Sequence, residues 1–299
     1  MEEYQNKLAP ICLFTYNRLS ETQQTVEALK QNYLASESEL FIFSDGSKDS
    51  NGAQKVNDVR NYLKTIDGFK SVTIYESPTN KGLANSIISG VTQIIEQYGK
   101  IIVLEDDLIT SPNFLNFMNQ ALVFYEHNPK IHSVSGYTLD LKSLRNYCKD
   151  YYFGNRPYSW GWGTWENKWS TIDWEVKDYN KLKKSIIQKI KFMQGGSDLP
   201  QMLDSQMKGR IDSWAIRWCY DQFKKNQVTV FPSKSKIQNI GFGANATHTK
   251  KGNRFSTTID NGEKVFFNFD HNIIKNKDII RDARKVFSCY ARLKNKILN

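Results

Sequence analysis

Lys100-Ile101-Ile102-Val103-Leu104-Glu105-Asp106-Asp107-Leu108 is the stretch on which the fold turns. Four apolar, mostly β-branched residues run directly into three carboxylates. Such a run predicts a strand buried on both faces, the habit of a parallel sheet. Three acids at its end cannot all be buried unpaired, because an isolated ionised carboxylate is very costly to desolvate. They must meet water, cations or a metal. In open α/β sheets ligands bind at the carboxyl ends of strands. The triplet therefore falls where a ligand would lie, and a divalent-metal site is the leading expectation; a solvated acidic turn is the plain alternative.

Elements on both sides of this strand support an α/β reading. Pro10–Tyr16 is a short apolar strand, followed by the turn Asn17-Arg18-Leu19. Ser20, with Gln23 three residues on, has the signature of a capping box and predicts a helix from Glu21 to about Gln31 with Val26 and Leu29 inward. A second strand, Glu39–Ser44, ends in the turn-rich Asp45–Ser50. A helix follows with Ala53, Val56, Val59 and Leu63 on one face, then a strand at Val72–Tyr75 and the loop Ser77–Gly82. The next helix carries Leu83, Ile87, Ile88, Val91, Ile94 and Ile95 at helical spacing. Beyond the acids, Ser111-Pro112 reads as an N-cap and first helical proline, ahead of Phe114, Phe117, Ala121, Leu122 and Tyr125; a fifth strand is Ile131–Ser135. Strands alternating with helices give βαβ units, and right-handed crossovers gather the strand ends on one edge. Thr15, Arg18, Asp45, Lys81 and Glu105-Asp106-Asp107 should line one crevice.

The second half differs. Tyr151 to Trp174 is crowded with aromatics around Ser159-Trp160-Gly161-Trp162-Gly163-Thr164-Trp165-Glu166. Indoles alternating with glycines offer flat apolar faces to the C–H faces of sugars; the alternative is a tryptophan-rich core, which is the expectation for Trp169 and Trp174. A Lys-rich segment (Lys181 to Lys191), a Gln194–Ser197 loop, a helix over 211–223 carrying Trp214 and Trp218, a strand at Val228–Pro232 and a Gly-rich loop from Ile240 to His248 complete it.

At 299 residues, 39% hydrophobic and 24% charged, the composition suits a globular protein with a sizeable core. No run of about 18 apolar residues suggests a membrane-spanning helix. The start of the chain is polar and acidic, unlike a signal peptide, and the four cysteines (Cys12, Cys148, Cys219, Cys289) show no metal or disulfide spacing; a cytoplasmic location is the expectation. Of the net charge of +10, much sits after Ile273, where there are eight Lys or Arg against two Asp. There Ile279, Ala283, Val286, Tyr290, Leu293 and Ile297 recur at spacings of a single helix face. A basic amphipathic helix predicts a peripheral contact with an anionic membrane surface, or a helix packed on the domain. Nucleic acid is not expected as a partner, because the basic residues are not spread over one face.

At these residues the chain resembles a known group. A strand-turn opening, an aspartate ending strand two, the Asn80-Lys81-Gly82 loop and the Glu-Asp-Asp triplet are similar to those of GT-A fold glycosyltransferases. The nearer likeness is to N-acetylglucosaminyltransferase I (family 13) and to bacterial sugar transferases related to family 2. Gly161-Trp162, Asp212-Ser213-Trp214 and the Gly241–His248 loop extend it, so that it covers roughly residues 8–250. The resemblance implies a GT-A α/β fold with a mixed, mainly parallel sheet, flanking helices, a smaller acceptor subdomain and a C-terminal helix. It divides the chain into a nucleotide-sugar half (1–140), an acceptor half (141–255) and a basic extension (256–299). It implies that Asp107 ligates Mn²⁺ or Mg²⁺ across the diphosphate of a nucleotide sugar, with His248 near the phosphates. Asp106 and Glu105 would hold ribose and sugar, and Asp45 and Arg18 the nucleobase and ribose. Asp212 is the implied base of an inverting transfer, one position from the family's usual aspartate; Glu166 is the second choice. The implied activity is metal-dependent transfer from a nucleoside-diphosphate sugar, UDP favoured, to a glycan or lipid-linked acceptor in bacterial surface polysaccharide or glycoconjugate synthesis. Two other readings compete: a sugar-1-phosphate nucleotidyltransferase, which would want a Gly-rich loop where Thr15-Tyr16-Asn17-Arg18 stands, and a non-catalytic carbohydrate- or membrane-surface-binding protein.

Overall fold

The computed structural model describes residues 8–241 and 254–297. Its strands are β1 Ile11–Thr15, β2 Glu39–Ser44, β3 Ser71–Glu76, β4 Lys100–Glu105, β5 Leu108–Thr110, β6 Ile131–Ser135, β7 Tyr151–Gly154, β8 Trp162–Trp165, β9 Val228–Pro232 and β10 Ile237–Asn239. Its α-helices are α1 Leu19–Lys30, α2 Ser50–Leu63, α3 Leu83–Tyr98, α4 Phe114–Phe124, α5 Glu166–Trp169, α6 Tyr179–Lys184, α7 Ile186–Phe192, α8 Leu199–Met207, α9 Trp214–Lys224, α10 Lys277–Val286 and α11 Cys289–Ile297.

Eight strands form one sheet in the order β3-β2-β1-β4-β8-β6-β9-β7. The β3-β2-β1-β4 side is parallel throughout; β8 runs antiparallel to both β4 and β6, and β7 antiparallel to β9. This is the expected mixed, mainly parallel α/β sheet. The central strands are buried on both faces, and the pleat sorts their side chains. Ile11, Leu13, Ile102 and Leu104 join one core with Val26 and Leu29 of α1, Val59 of α2 and Phe117 of α4. Cys12, Phe14, Ile101 and Val103 face the other core, with Ile87, Val91 and Ile94 of α3 and Trp162, Trp214 and Trp218. Continuous apolar runs rather than alternation follow from this two-sided burial.

Several sequence expectations fail locally. Ser20 does not cap α1: the helix begins at Leu19 with Arg18 at the capping position and no side-chain cap bond, because the Arg18 side chain is drawn to Asp106 and Asp107. Ser111-Pro112 does not start α4 either. The helix opens at Phe114, since Leu108–Thr110 is held as a strand antiparallel to β10. From Trp162 to Trp165 the alternation is the pleat of a buried strand and not an exposed platform, while Trp160, just before the strand, stays part-exposed. Trp162 and Trp165 sit in opposite cores, and Gly163 lets β8 pack close to β4: a Cβ there would meet the Ile101 carbonyl at 2.8 Å. Trp162 packs against Trp169, Trp214 and Trp218 at ring separations of 5.5, 5.1 and 4.5 Å. The tail is two helices and not one. Ile279 and Phe287 are buried and Ala283 and Val286 pack on the core, while Tyr290 and Leu293 on α11 are 76% and 60% exposed. The stretch before α10 is laid on the domain through Phe255, Phe267 and Phe269 and the buried ion pair Lys236–Asp260 at 2.6 Å. Among the described residues no helix is long and apolar enough to cross a membrane.

Candidate active site

The C-terminal ends of β1, β2 and β4 open into a cleft of about 860 Å³ lined by Thr15, Arg18, Asp45 and the Glu105–Asp107 triplet among others. The sheet order produces this convergence, since β1 lies between β2 and β4. The three acids of the triplet meet three different fates. Asp106 is 3% exposed and its carboxylate pairs with Arg18 Nη2 while accepting the Tyr16 N–H at 3.3 Å. Burial pushes its pKa up, and Arg18 pulls against that, leaving it at about 6. Asp107 accepts from Arg18 Nη1 at 3.0 Å. Glu105 is pushed up to about 8, first by burial and then by the charges of Asp107 and Asp106, with Arg18 opposing. Burial alone would lower the Arg18 guanidinium, but Asp106 and Asp107 outweigh it and hold its pKa above the ordinary value.

A short antiparallel ladder closes the acidic side. Asn239 of β10 pairs with Leu108, the Ile240 N–H donates to the Asp107 carbonyl at 2.9 Å, and Asn239 Nδ2 lies 3.5 Å from Asp107 Oδ1. Gly241 lies so close that a Cβ there would run into the Asp107 carboxylate. Asp45 turns inward at the end of β2. Its Oδ1 accepts from the Gly46 and Lys81 N–H groups at 2.9 and 2.8 Å, and its Oδ2 from Gly82 at 3.1 Å. The resemblance gives this carboxylate a role on the nucleobase and ribose; the geometry makes it the anchor of the Asn80-Lys81-Gly82 loop. Arg60 of α2 fastens the same corner by donating to the Ser77 carbonyl at 2.6 Å.

Of the expected site residues, Thr15, Arg18, Asp45, Glu105, Asp106 and Asp107 come together in the cleft. Lys81 contributes its backbone to Asp45, and its side chain is exposed beside the cleft. Asp212 lies at the rim: its side chain is 64% exposed, and its Oδ2 is 3.9 Å from where a Cβ on the cleft residue Gly82 would stand. Glu166 is not brought to the site. Trp165 is in register with Lys100 at the start of β4, so Glu166 sits at the far end of a strand about 16 Å long from the triplet. His248 lies outside the described residues. Among those residues no group of three or more His, Cys, Asp or Glu side chains could hold a metal by itself. The sequence reading missed Lys48, Lys55 and Asn239 as cleft residues. It named Trp160 only as one indole among several, whereas Trp160, just before β8, lines the cleft. No local sequence signal singles out Trp160 from its neighbouring indoles, because its place depends on where β8 joins the sheet.

The shape of the chain is similar to that of mannosyltransferase PcManGT from Pyrobaculum calidifontis in complex with GDP-Man and Mn²⁺ (TM-score 0.41, 9% identity, covering 75% of this chain and 74% of that one). It is similar also to S. aureus TarS (0.41, 11%, 76% and 36%) and to the galactosyltransferase LgtC in complex with donor and acceptor sugar analogs (0.35, 10%, 71% and 70%). No curated protein matches the chain. Residues 11–136, which supply β1 to β6 and every acid of the cleft floor, match the family model described as glycosyl transferase family 2.

Proposed function

We propose that the chain transfers a sugar from a nucleoside-diphosphate sugar, UDP favoured, to a glycan or lipid-linked acceptor, with inversion, in the synthesis of bacterial surface polysaccharide or glycoconjugates. The observation that carries this reading is the convergence of Arg18, Asp106 and Asp107 at the ends of β1 and β4 within the family 2 match. In such a transfer the bond from the anomeric carbon to the diphosphate breaks as a bond to the acceptor oxygen forms. Negative charge gathers on the leaving diphosphate, and Arg18, Lys48 and Lys55, all lining the cleft, are the cations to receive it. Asp107 offers a hard oxygen ligand suited to Mn²⁺ or Mg²⁺ once phosphate oxygens complete the set; such an ion, when bound, stabilises the same departing charge. Glu105, lining the cleft, can hydrogen-bond a sugar or ribose hydroxyl, and Asp106 holds Arg18 at the cleft floor. Asp212, at the rim beside Gly82, takes the proton of the attacking hydroxyl; Glu166, placed far away, is withdrawn from that role. The exposed Tyr290 and Leu293 of α11 support peripheral association with the inner face of a membrane.

Hydrolysis of a panel of nucleotide sugars with and without manganese tests the reading. One donor should be turned over only with the metal, and Asp107→Asn should lower that rate by about a hundredfold or more with the fold intact by circular dichroism. Unaltered hydrolysis in the variant refutes the assignment of Asp107.

A further inference from the structure

One helix turns its apolar side outward. In α7, Ile186, Ile187 and Ile190 are 74%, 67% and 56% exposed, and among the described residues no other helix or strand exposes three large apolar side chains. At about 100° per residue, the three lie within an arc of about 100°, and Phe192 falls roughly opposite its middle. Phe192 is buried in a small core with Leu182, Leu199 and Ile216, its ring 4.9 Å from Phe223 and 5.6 Å from Tyr220. Ser185 caps the same helix by accepting from the Gln188 N–H at 3.2 Å. The Phe192 anchor fixes the rotation of α7, so the isoleucines cannot turn inward without drawing that ring out of its core.

The stretch is also uniformly cationic. From Lys181 to Lys191 there are five lysines and no acid. Lys189 and Lys191 border the isoleucine arc on its two sides, and Lys181, Lys183 and Lys184 lie on the preceding helix α6. The nearby acids are engaged elsewhere: Asp178 pairs with Lys224 at 2.9 Å and Asp204 with Lys208 at 2.6 Å. An apolar strip set between lysines suits a helix lying in a lipid interface, where the strip enters the acyl boundary and the ammonium groups meet headgroup phosphates. A second copy of the chain suits the face poorly, because a two-fold contact would set five lysines against five. A partner protein suits it poorly as well, since three isoleucine side chains offer well under the roughly 800 Å² a side of a stable protein interface.

We propose that α7 is a membrane-docking element that lies in the surface of an anionic bilayer, with Ile186, Ile187 and Ile190 entering the lipid and Lys189, Lys191 and the α6 lysines on headgroup phosphates. The proposal rests on the peripheral membrane association put forward above and assigns it to a surface other than α11; it does not depend on sugar transfer.

Co-sedimentation of the full chain with lipid vesicles, without any nucleotide sugar, tests it. Vesicles of equal phosphatidylcholine and phosphatidylglycerol should bind the native chain about a hundredfold more tightly than phosphatidylcholine alone, since each lysine at an anionic surface contributes roughly fivefold. The triple variant Ile186→Ser, Ile187→Ser, Ile190→Ser should weaken binding to the anionic vesicles by about a hundredfold. The double variant Lys189→Gln, Lys191→Gln should weaken it by about twentyfold, and keeps the test open if the triple variant fails to fold, which thermal melting checks. Tyr290→Ser with Leu293→Ser on α11 should weaken it less than either. Binding that survives both α7 variants overturns the proposal while the membrane association stands; a native chain that ignores anionic vesicles overturns both. Equal binding to neutral and anionic vesicles overturns it by removing the lysines from the contact. A dimer in sedimentation velocity that disappears in the triple variant assigns the face to a second copy and overturns it too.

Discussion

Replacing Asp45 by Asn separates an anchoring carboxylate from one that holds the donor. Asp45 accepts three backbone N–H groups, two on Oδ1 and one on Oδ2, at 2.8 to 3.1 Å. Asparagine keeps a single carbonyl oxygen. At best the bonds from Gly46 and Lys81 survive as neutral ones, and the Gly82 N–H is left facing an N–H₂ group. A hydrogen bond to a charged group contributes about 1.5–3 kcal/mol and a neutral one about 1 kcal/mol, so losing one and weakening two costs about 2.5–7 kcal/mol. With a urea dependence of about 3 kcal/mol/M, the unfolding midpoint should fall by about 1–2 M. Gly82 both lines the cleft and precedes α3, so the donor KM should rise about tenfold with a smaller change in kcat. Urea unfolding followed by fluorescence, with donor kinetics alongside, reads both quantities. A midpoint moved by less than about 0.2 M refutes the anchor; if donor binding is lost without any change in midpoint, Asp45 contacts the donor directly.

Trp162 is fully buried within the tryptophan cluster, so Trp162→Ala should cost about 3–5 kcal/mol in urea unfolding; a cost below about 1 kcal/mol would place the cluster outside the cooperative core. Gly90 lies within α3, where alanine usually gains about 1 kcal/mol of helix propensity. A Cβ there would stand 2.8 Å from the Phe14 ring and 3.1 Å from Phe43. Overpacking should win, and Gly90→Ala should destabilise by about 1–2 kcal/mol; a rise in melting temperature contradicts the close packing of α3 on β1 and β2. His132 is buried, its Nε2 3.3 Å from Asp221, and burial lowers its pKa below 6.5 despite that carboxylate. The unfolded chain takes up a proton near pH 6.5 that the folded chain resists. The stability His132 contributes is therefore complete above that pH and declines as the pH falls below it. Comparing melting temperatures of the native chain and His132→Gln between pH 8 and 5 should show the steeper acid loss in the native chain; parallel curves would mean that the folded imidazole titrates normally.

The parallel side of the sheet was legible because two-sided burial writes itself as unbroken apolar runs, and β1, β2 and β4 begin and end within a residue or two of where those runs do. The cleft acids were legible for the same reason: a charge at the end of a run marks where the sheet meets solvent. What pattern reading missed depended on partners distant in sequence. Ser20 looked like a cap because the pull of Asp106 and Asp107 on Arg18 is invisible from the helix alone. Ser111-Pro112 looked like a helix start because nothing nearby reveals that β10, more than a hundred residues later, pairs with β5. The tryptophans suggested an exposed platform because alternation with glycine fits a loop as well as a central strand, and only the insertion of β8 between β4 and β6 decides between them. The tail read as one continuous face because its spacing runs through Phe287; the structure ends α10 there, with the ring buried and its carbonyl accepting from Ser197 at 2.9 Å.

The interleaving of β8 constrains how this chain could be taken apart or recombined. A cut near residue 140 would divide a hydrogen-bonded ladder and not a linker, leaving β4 and β6 with raw edges in one fragment and β8 unpaired in the other; each piece alone is a candidate for aggregation. A chimera exchanging the second half of the chain would have to carry β8 with it, since that strand completes the ladders of both β4 and β6. The ladder that keeps Trp162 opposite Val103 also fixes how the two halves of the sheet meet beside the cleft, which makes that spacing a property of sheet register and not of any hinge.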